Sequence, residues 1–122
     1  MLLDFPTVRQ EQAEAFEKTA YRSSETSLVI DALFGIGLTR PLDGLRPILE
    51  VAEKNFVMSS ELGTPRHVSI DLPSGLSEDG PMGTGFGSVF QAHLTVTFHS
   101  AKTAHRKGIE YCGDIIVQDI GL

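Results

Sequence analysis

Two short apolar runs end in a carboxylate. Ser27-Leu-Val-Ile-Asp31 leads into Ala32-Leu-Phe-Gly-Ile-Gly-Leu38, and His67-Val-Ser-Ile-Asp71 leads into Leu72-Pro-Ser-Gly75. In open parallel sheets, ligands bind beyond the carboxyl ends of the strands. If the two runs are neighbouring strands, Asp31 and Asp71 open onto one rim. An aspartate after a strand also commonly caps the turn that follows. For either aspartate alone the two readings balance. The repetition of strand, aspartate and small-residue turn tips the pair toward a site.

Gly35-Ile-Gly37 is part of a dinucleotide-binding fingerprint, but Arg40 stands where the third glycine belongs. Such glycines can still present backbone N–H groups to a phosphate, and Arg40 can add a charged donor. A tight turn with a surface arginine explains the spacing equally well. Ser74 precedes a glycine on a sharp turn, yet Leu72 occupies the first glycine position of a hydrolase elbow. Its hydroxyl is better suited to bind a hard cation, with Asp31 and nearby carbonyls, or to cap a helix. His67 and His93 open strands and read as structural. No histidine forms a zinc spacing with another or with Cys112, the one cysteine. Lys102, His105, Arg106 and Lys107 form a basic cluster. Such a run is usually a solvated loop; here it can also meet an anionic ligand, with Lys102 the first to test.

The elements that must hold these groups follow from pattern. Val, Ile and Thr-rich runs at 27–31, 67–71, 93–98 and 114–118 read as strands, the last antiparallel or at a sheet edge. Thr7 and Gln10 resemble a capping box before a helix over 8–19. Leu45, Ile48, Leu49 and Ala52 mark a second helix over 45–56. A loop rich in Gly and Pro fills 72–87, and a short helix is expected near 88–91. Strands alternating with crossovers imply an α/β fold with a mostly parallel sheet flanked by helices. The 122 residues allow one compact domain, and a composition 41% hydrophobic and 21% charged is that of a globular chain. A formal charge of −6 argues against general nucleic-acid binding. No apolar stretch spans a bilayer and no secretory signal is evident, so a cytoplasmic setting is expected.

Three segments taken together resemble a known family. They are Asp31-Ala-Leu-Phe-Gly-Ile-Gly-Leu-Thr-Arg-Pro-Leu-Asp-Gly44, Ser69-Ile-Asp-Leu-Pro-Ser-Gly-Leu76, and Leu94-Thr-Val-Thr-Phe98 with Cys112-Gly-Asp-Ile-Ile-Val-Gln-Asp-Ile-Gly121. Their order and spacing are similar to the YjeF N-terminal domain, the NAD(P)H-hydrate epimerase family. The resemblance implies a Rossmann-like domain interconverting the R and S forms of hydrated NADH and NADPH. It implies a potassium ion with Asp31 and Ser74 as ligands. It implies substrate contacts from Gly35, Ile36, Gly37, Leu38, Thr39, Arg40 and Pro41, and from Asp71 near the reacting ring, where Asp71 is the candidate catalytic carboxylate. An ATP- or ADP-dependent dehydratase, fused or separate, and a second copy of the chain are the expected partners. The family's Asn-Asn-Gly-Gly-Asp-Gly phosphate loop is not found in the sequence. The expectation is therefore a partial domain over residues 1–122, lacking a first strand, loop and helix, with its activity as a fragment in doubt. The alternative is a non-catalytic scaffold, a use to which similar domains are also put.

Overall fold

The computed structural model describes residues 7–33 and 43–121. In chain order these form α1 (Gln10–Tyr21), β1 (Leu28–Asp31), a 3-10 turn (Asp43–Leu45), α2 (Arg46–Leu62) and β2 (Arg66–Ile70). Then come β3 (Leu76–Ser77), β4 (Gly80–Pro81), β5 (Leu94–Phe98), α3 (Thr103–Lys107), α4 (Ile109–Cys112) and β6 (Asp114–Gln118). The main sheet has the order β1-β2-β5-β6 and every pairing in it is parallel. The fold is α/β and Rossmann-like, with a parallel sheet and helices packed against it.

Register and alternation decide which side chains share a face. Asp31 lies opposite Ser69, Ser69 opposite Thr95, and Thr95 opposite Ile115. Val29, Asp31, His67, Ser69, Thr95, Thr97 and Ile115 therefore line one face. Helix α2 covers part of it through Leu49 and Ala52, which pack with Leu45, Phe90 and Ala92, and Val29 joins this cluster. Leu76, Val89 and Cys112 form a second cluster against Ile115. The other face carries Leu28, Ile30, Val68, Ile70, Leu94, Val96, Phe98 and Ile116. Among the described residues it is the more open side, with Ile30 56% exposed. Strands apolar enough to be buried on both faces thus have one face covered here.

The sequence reading needs several corrections at element ends. The first helix starts at Gln10, and its cap is made by the Arg9 N–H donating to Gln12 Oε1 at 2.9 Å, so Thr7 is not its capping residue. Helix α2 runs to Leu62, six residues past the expected end, and stops at Gly63 in the left-handed conformation. No helix forms near 88–91; a two-strand hairpin, β3–β4, interrupts the glycine-rich loop instead, and α3 and α4 lie between β5 and β6. The last strand is parallel, at the sheet edge. No helix among the described residues is long and apolar enough to cross a membrane.

Candidate active site

Both aspartates stand at the carboxyl ends of adjacent parallel strands. Asp31 is the last residue of β1, and Asp71 directly follows β2. The loop after β2 crosses to β1, where Ser74 meets Asp31. The Ser74 N–H donates to Asp31 Oδ2 and the Ser74 hydroxyl to Oδ1, each at 2.6 Å. The Leu33 N–H donates to Oδ1 at 3.2 Å, so Asp31 also caps its own turn. The capping reading of this aspartate holds. The carboxylate is 5% exposed. Burial raises its pKa, and the Ser74, Leu33 and Ser69 donors only partly offset that. A cavity of about 90 Å³ beside it is lined by Phe16, Leu33, Ile48 and Phe90 among others.

Two local features shape the Ser74 turn. The Phe90 N–H donates to the Ser74 carbonyl at 2.9 Å, tying the turn to the chain after the hairpin. Gly75 has φ +93°, and a Cβ there would lie 2.0 Å from the Ser88 carbonyl oxygen. Only glycine can follow Ser74 without moving that backbone.

Asp71 is held differently. Its φ of +71° is left-handed, unusual for a residue with a side chain. Its N–H donates to the Val96 carbonyl at 2.7 Å and its own carbonyl accepts from His105 Nε2 at 2.6 Å. Its Oδ1 accepts from Lys102 Nζ at 2.6 Å and from Thr97 Oγ1 at 2.9 Å. Lys102 Nζ also donates to Thr97 Oγ1 at 2.7 Å. Burial alone would push the Asp71 carboxyl up. The hydrogen bonds from Lys102 and Thr97, and the Lys102 charge, outweigh it and hold the carboxyl below the usual range. Asp71 is thus an ionised, partly exposed carboxylate on a cationic partner, whereas Asp31 is enclosed.

The expected groups sort clearly. Asp31 and Ser74 come together, and Asp71 shares their end of the sheet. Gly35, Ile36, Gly37, Leu38, Thr39, Arg40 and Pro41 lie outside the described residues. The basic cluster is not a uniformly solvated run. His105 is 1% exposed and Lys102 turns onto Asp71, while Arg106 and Lys107 stay exposed. Lys102 thus meets an anion, but one supplied by the protein. Thr97 was not singled out from the sequence; its alternation with the apolar residues of β5 was the available signal. His67 and His93 are structural, as expected. His67 is buried, bonded to Tyr21 and the Gln91 carbonyl, and its backbone N–H donates to His93 Nδ1.

Chemically, Asp31 and Ser74 offer only oxygen. The buried Ser69 hydroxyl, on the same face and opposite Asp31, lies near enough to help lower the Asp31 carboxyl without forming a well-aligned hydrogen bond. One carboxylate among hydroxyls suits a hard cation of low charge better than a transition metal. No cluster of three His, Cys, Asp or Glu suited to a metal occurs among the described residues.

A parallel α/β sheet with two aspartates at one end of adjacent strands places the chain in the Rossmann-like class. The profile described as YjeF-related protein N-terminus matches residues 3–104. The chain belongs to that family. It is 47% identical, over 98% of its own length and 50% of the relative's, to the NAD(P)H-hydrate epimerase of Roseobacter litoralis. It is 40% identical to the protein of that name from Rhodobacter capsulatus, over 81% of the chain and 43% of the relative. It is 35% identical to the bifunctional NAD(P)H-hydrate repair enzyme Nnr of Archaeoglobus fulgidus, over 80% of the chain and 19% of the relative. The chain spans half or less of the length of these relatives.

Proposed function

We propose that this chain carries the strand-end part of an NAD(P)H-hydrate epimerase site, acting on the hydrated nicotinamide of NADH and NADPH. The observation that carries the reading is the ionised Asp71 at the rim, beside a strand end that also bears Asp31. The names of its relatives supply the substrate class.

The reacting carbon bears a hydroxyl next to the ring nitrogen. Inversion can proceed by proton transfer from solvent to that hydroxyl and its loss as water, leaving a cation delocalised onto the nitrogen. Water then adds to either face and gives up a proton. A carboxylate at the ring stabilises the cation and accepts that proton, a role worth roughly 10²–10⁴-fold in rate. Asp71 is ionised for this task and Lys102 holds it in place. The segment from Gly35 to Pro41 is assigned to the nucleotide.

Asp31 and Ser74 would hold a potassium ion, and the buried Ser69 hydroxyl beside Asp31 fits that oxygen-only setting. Bound there, the ion supplies a fixed positive charge joining the loops after β1 and β2. A dehydratase acting on the epimerised product is the expected companion, in line with the bifunctional name of the Archaeoglobus relative. A cytoplasmic location suits a substrate of this class.

The test is conversion between the two epimers of hydrated NADH, with potassium present or replaced by tetramethylammonium. In an intact protein that contains this segment, Asp71→Asn should reduce turnover by ~10²–10⁴-fold with the fold intact, and the larger cation should lower it. Asp71→Asn turning over at the parental rate would refute the assignment of Asp71, and indifference to the cation would refute that of Asp31 and Ser74.

A further inference from the structure

His105 lies in a run of basic residues, yet it is 1% exposed, and both of its ring nitrogens are engaged. Nδ1 accepts from the Lys102 backbone N–H at 2.8 Å, which places the ring proton on Nε2. Nε2 then donates to the Asp71 carbonyl at 2.6 Å. One imidazole therefore grips the two residues whose side chains form the ion pair, 31 positions apart in sequence. At Asp71 it bonds a residue in the left-handed region, a conformation that costs on the order of 1–2 kcal/mol and persists only when its surroundings hold it. At Lys102 it bonds the residue that opens α3, whose first turn closes when the His105 N–H donates to the Lys102 carbonyl at 3.0 Å.

We infer that His105 is a positioning residue, clamping the backbones of Asp71 and Lys102 so that the Asp71 carboxylate is held on the Lys102 ammonium at the rim. It does not reach the rim itself. The inference rests on the reading of Asp71 as the catalytic carboxylate. Its physical content, a neutral ring fixed as the Nε2–H tautomer between two backbones, stands apart from any turnover.

Two readouts on the full chain separate the clamp from the activity. The first is the nitrogen NMR spectrum of the His105 ring near neutral pH, where the Nε2–H tautomer is expected. An Nδ1–H tautomer or an imidazolium would overturn the inference whether or not the protein is active. The second compares His105→Ala with His105→Gln, since a glutamine amide can donate to the Asp71 carbonyl as Nε2 does. In His105→Ala the Asp71 carboxyl should titrate at higher pH by carbon NMR. Turnover should fall about 10–100-fold with KM little changed, the scale of a misplaced catalytic group. His105→Gln should recover most of both. Lys102 and His105 are the titratable groups bonded to Asp71, and a charge on His105 also lowers the Asp71 carboxyl; both variants keep Lys102 and lose the His105 charge, so the difference between His105→Ala and His105→Gln reads the clamp alone. Equal titration of Asp71 in parent and His105→Ala would overturn the clamp. If His105→Ala does not fold, the parent's tautomer and the His105→Gln titration decide. An intact protein containing this segment with the expected tautomer and Asp71 titration but no epimerisation would refute the proposed activity and leave the clamp standing.

Discussion

Lowering the pH should unfold this protein through a single imidazole far from its rim. His67 sits near the start of β2, four residues before Asp71, with no exposed surface. Its ring stacks on Phe90 at a centroid distance of 5.0 Å and also meets Phe56. Nδ1 faces the Gln91 carbonyl at 2.9 Å and so carries the proton, leaving Nε2 to accept from the Tyr21 hydroxyl at 2.7 Å. A second ring proton would reverse that hydroxyl bond and place a charge in a buried aromatic cluster. Burial accordingly lowers the His67 pKa from 6.5 to about 4, with His93 adding to the effect and the Gln91 bond opposing it. The unfolded chain binds the proton first. Stability from this residue is thus complete above about pH 6.5 and lost progressively as the pH falls toward 4. At 1.36 kcal/mol per unit, the loss is about 3 kcal/mol, a large part of the stability of a small domain. The assay is urea denaturation at pH 7 and pH 4.5 for the parent and His67→Phe. The variant gives up the Tyr21 bond and is weaker at pH 7, but its stability should fall about 2–3 kcal/mol less than the parent's between the two pH values. Equal losses in both proteins would refute the argument.

Two further changes probe the rim. Gly75→Ala would force a Cβ onto the Ser88 carbonyl at φ +93° and should cost at least about 2 kcal/mol in urea denaturation; an unchanged midpoint would show that the turn yields freely. Lys102→Met removes the cation on Asp71, so the Asp71 carboxyl should titrate at higher pH by NMR and the acid limb of turnover should move up with it. Because the parent carboxyl is depressed, its pairing stabilises the fold above the unfolded pKa and is lost as the pH falls through the folded one. The variant should show a weaker dependence, with Thr97 and His105 still acting on the carboxyl.

The elements with strong local signals were legible without coordinates. Strand runs ending in Asp31 and Asp71 carry their periodicity in four or five consecutive residues, and neighbouring parallel strands put both at one rim. Ser74 was recognisable as an oxygen donor because the turn around Gly75 is built from local conformational demands. Helix ends were less legible: Arg9 and Gln12 form the cap that Thr7 and Gln10 imitate in sequence, since a cap depends on where the chain enters the helix.

The amino-acid order by itself determined the parallel α/β plan and which residue types stand at the strand ends, because alternation and turn chemistry act over a few residues. Only the tertiary structure decided that Lys102 closes on Asp71 and that His105, in a run of basic residues, is buried to hold them both. It also decided that the strands, apolar toward both sides, are covered on the face bearing His67, Ser69 and Thr95. Those outcomes depend on bringing together segments about thirty residues apart, where loop closure and packing choose the partner and no local pattern encodes it.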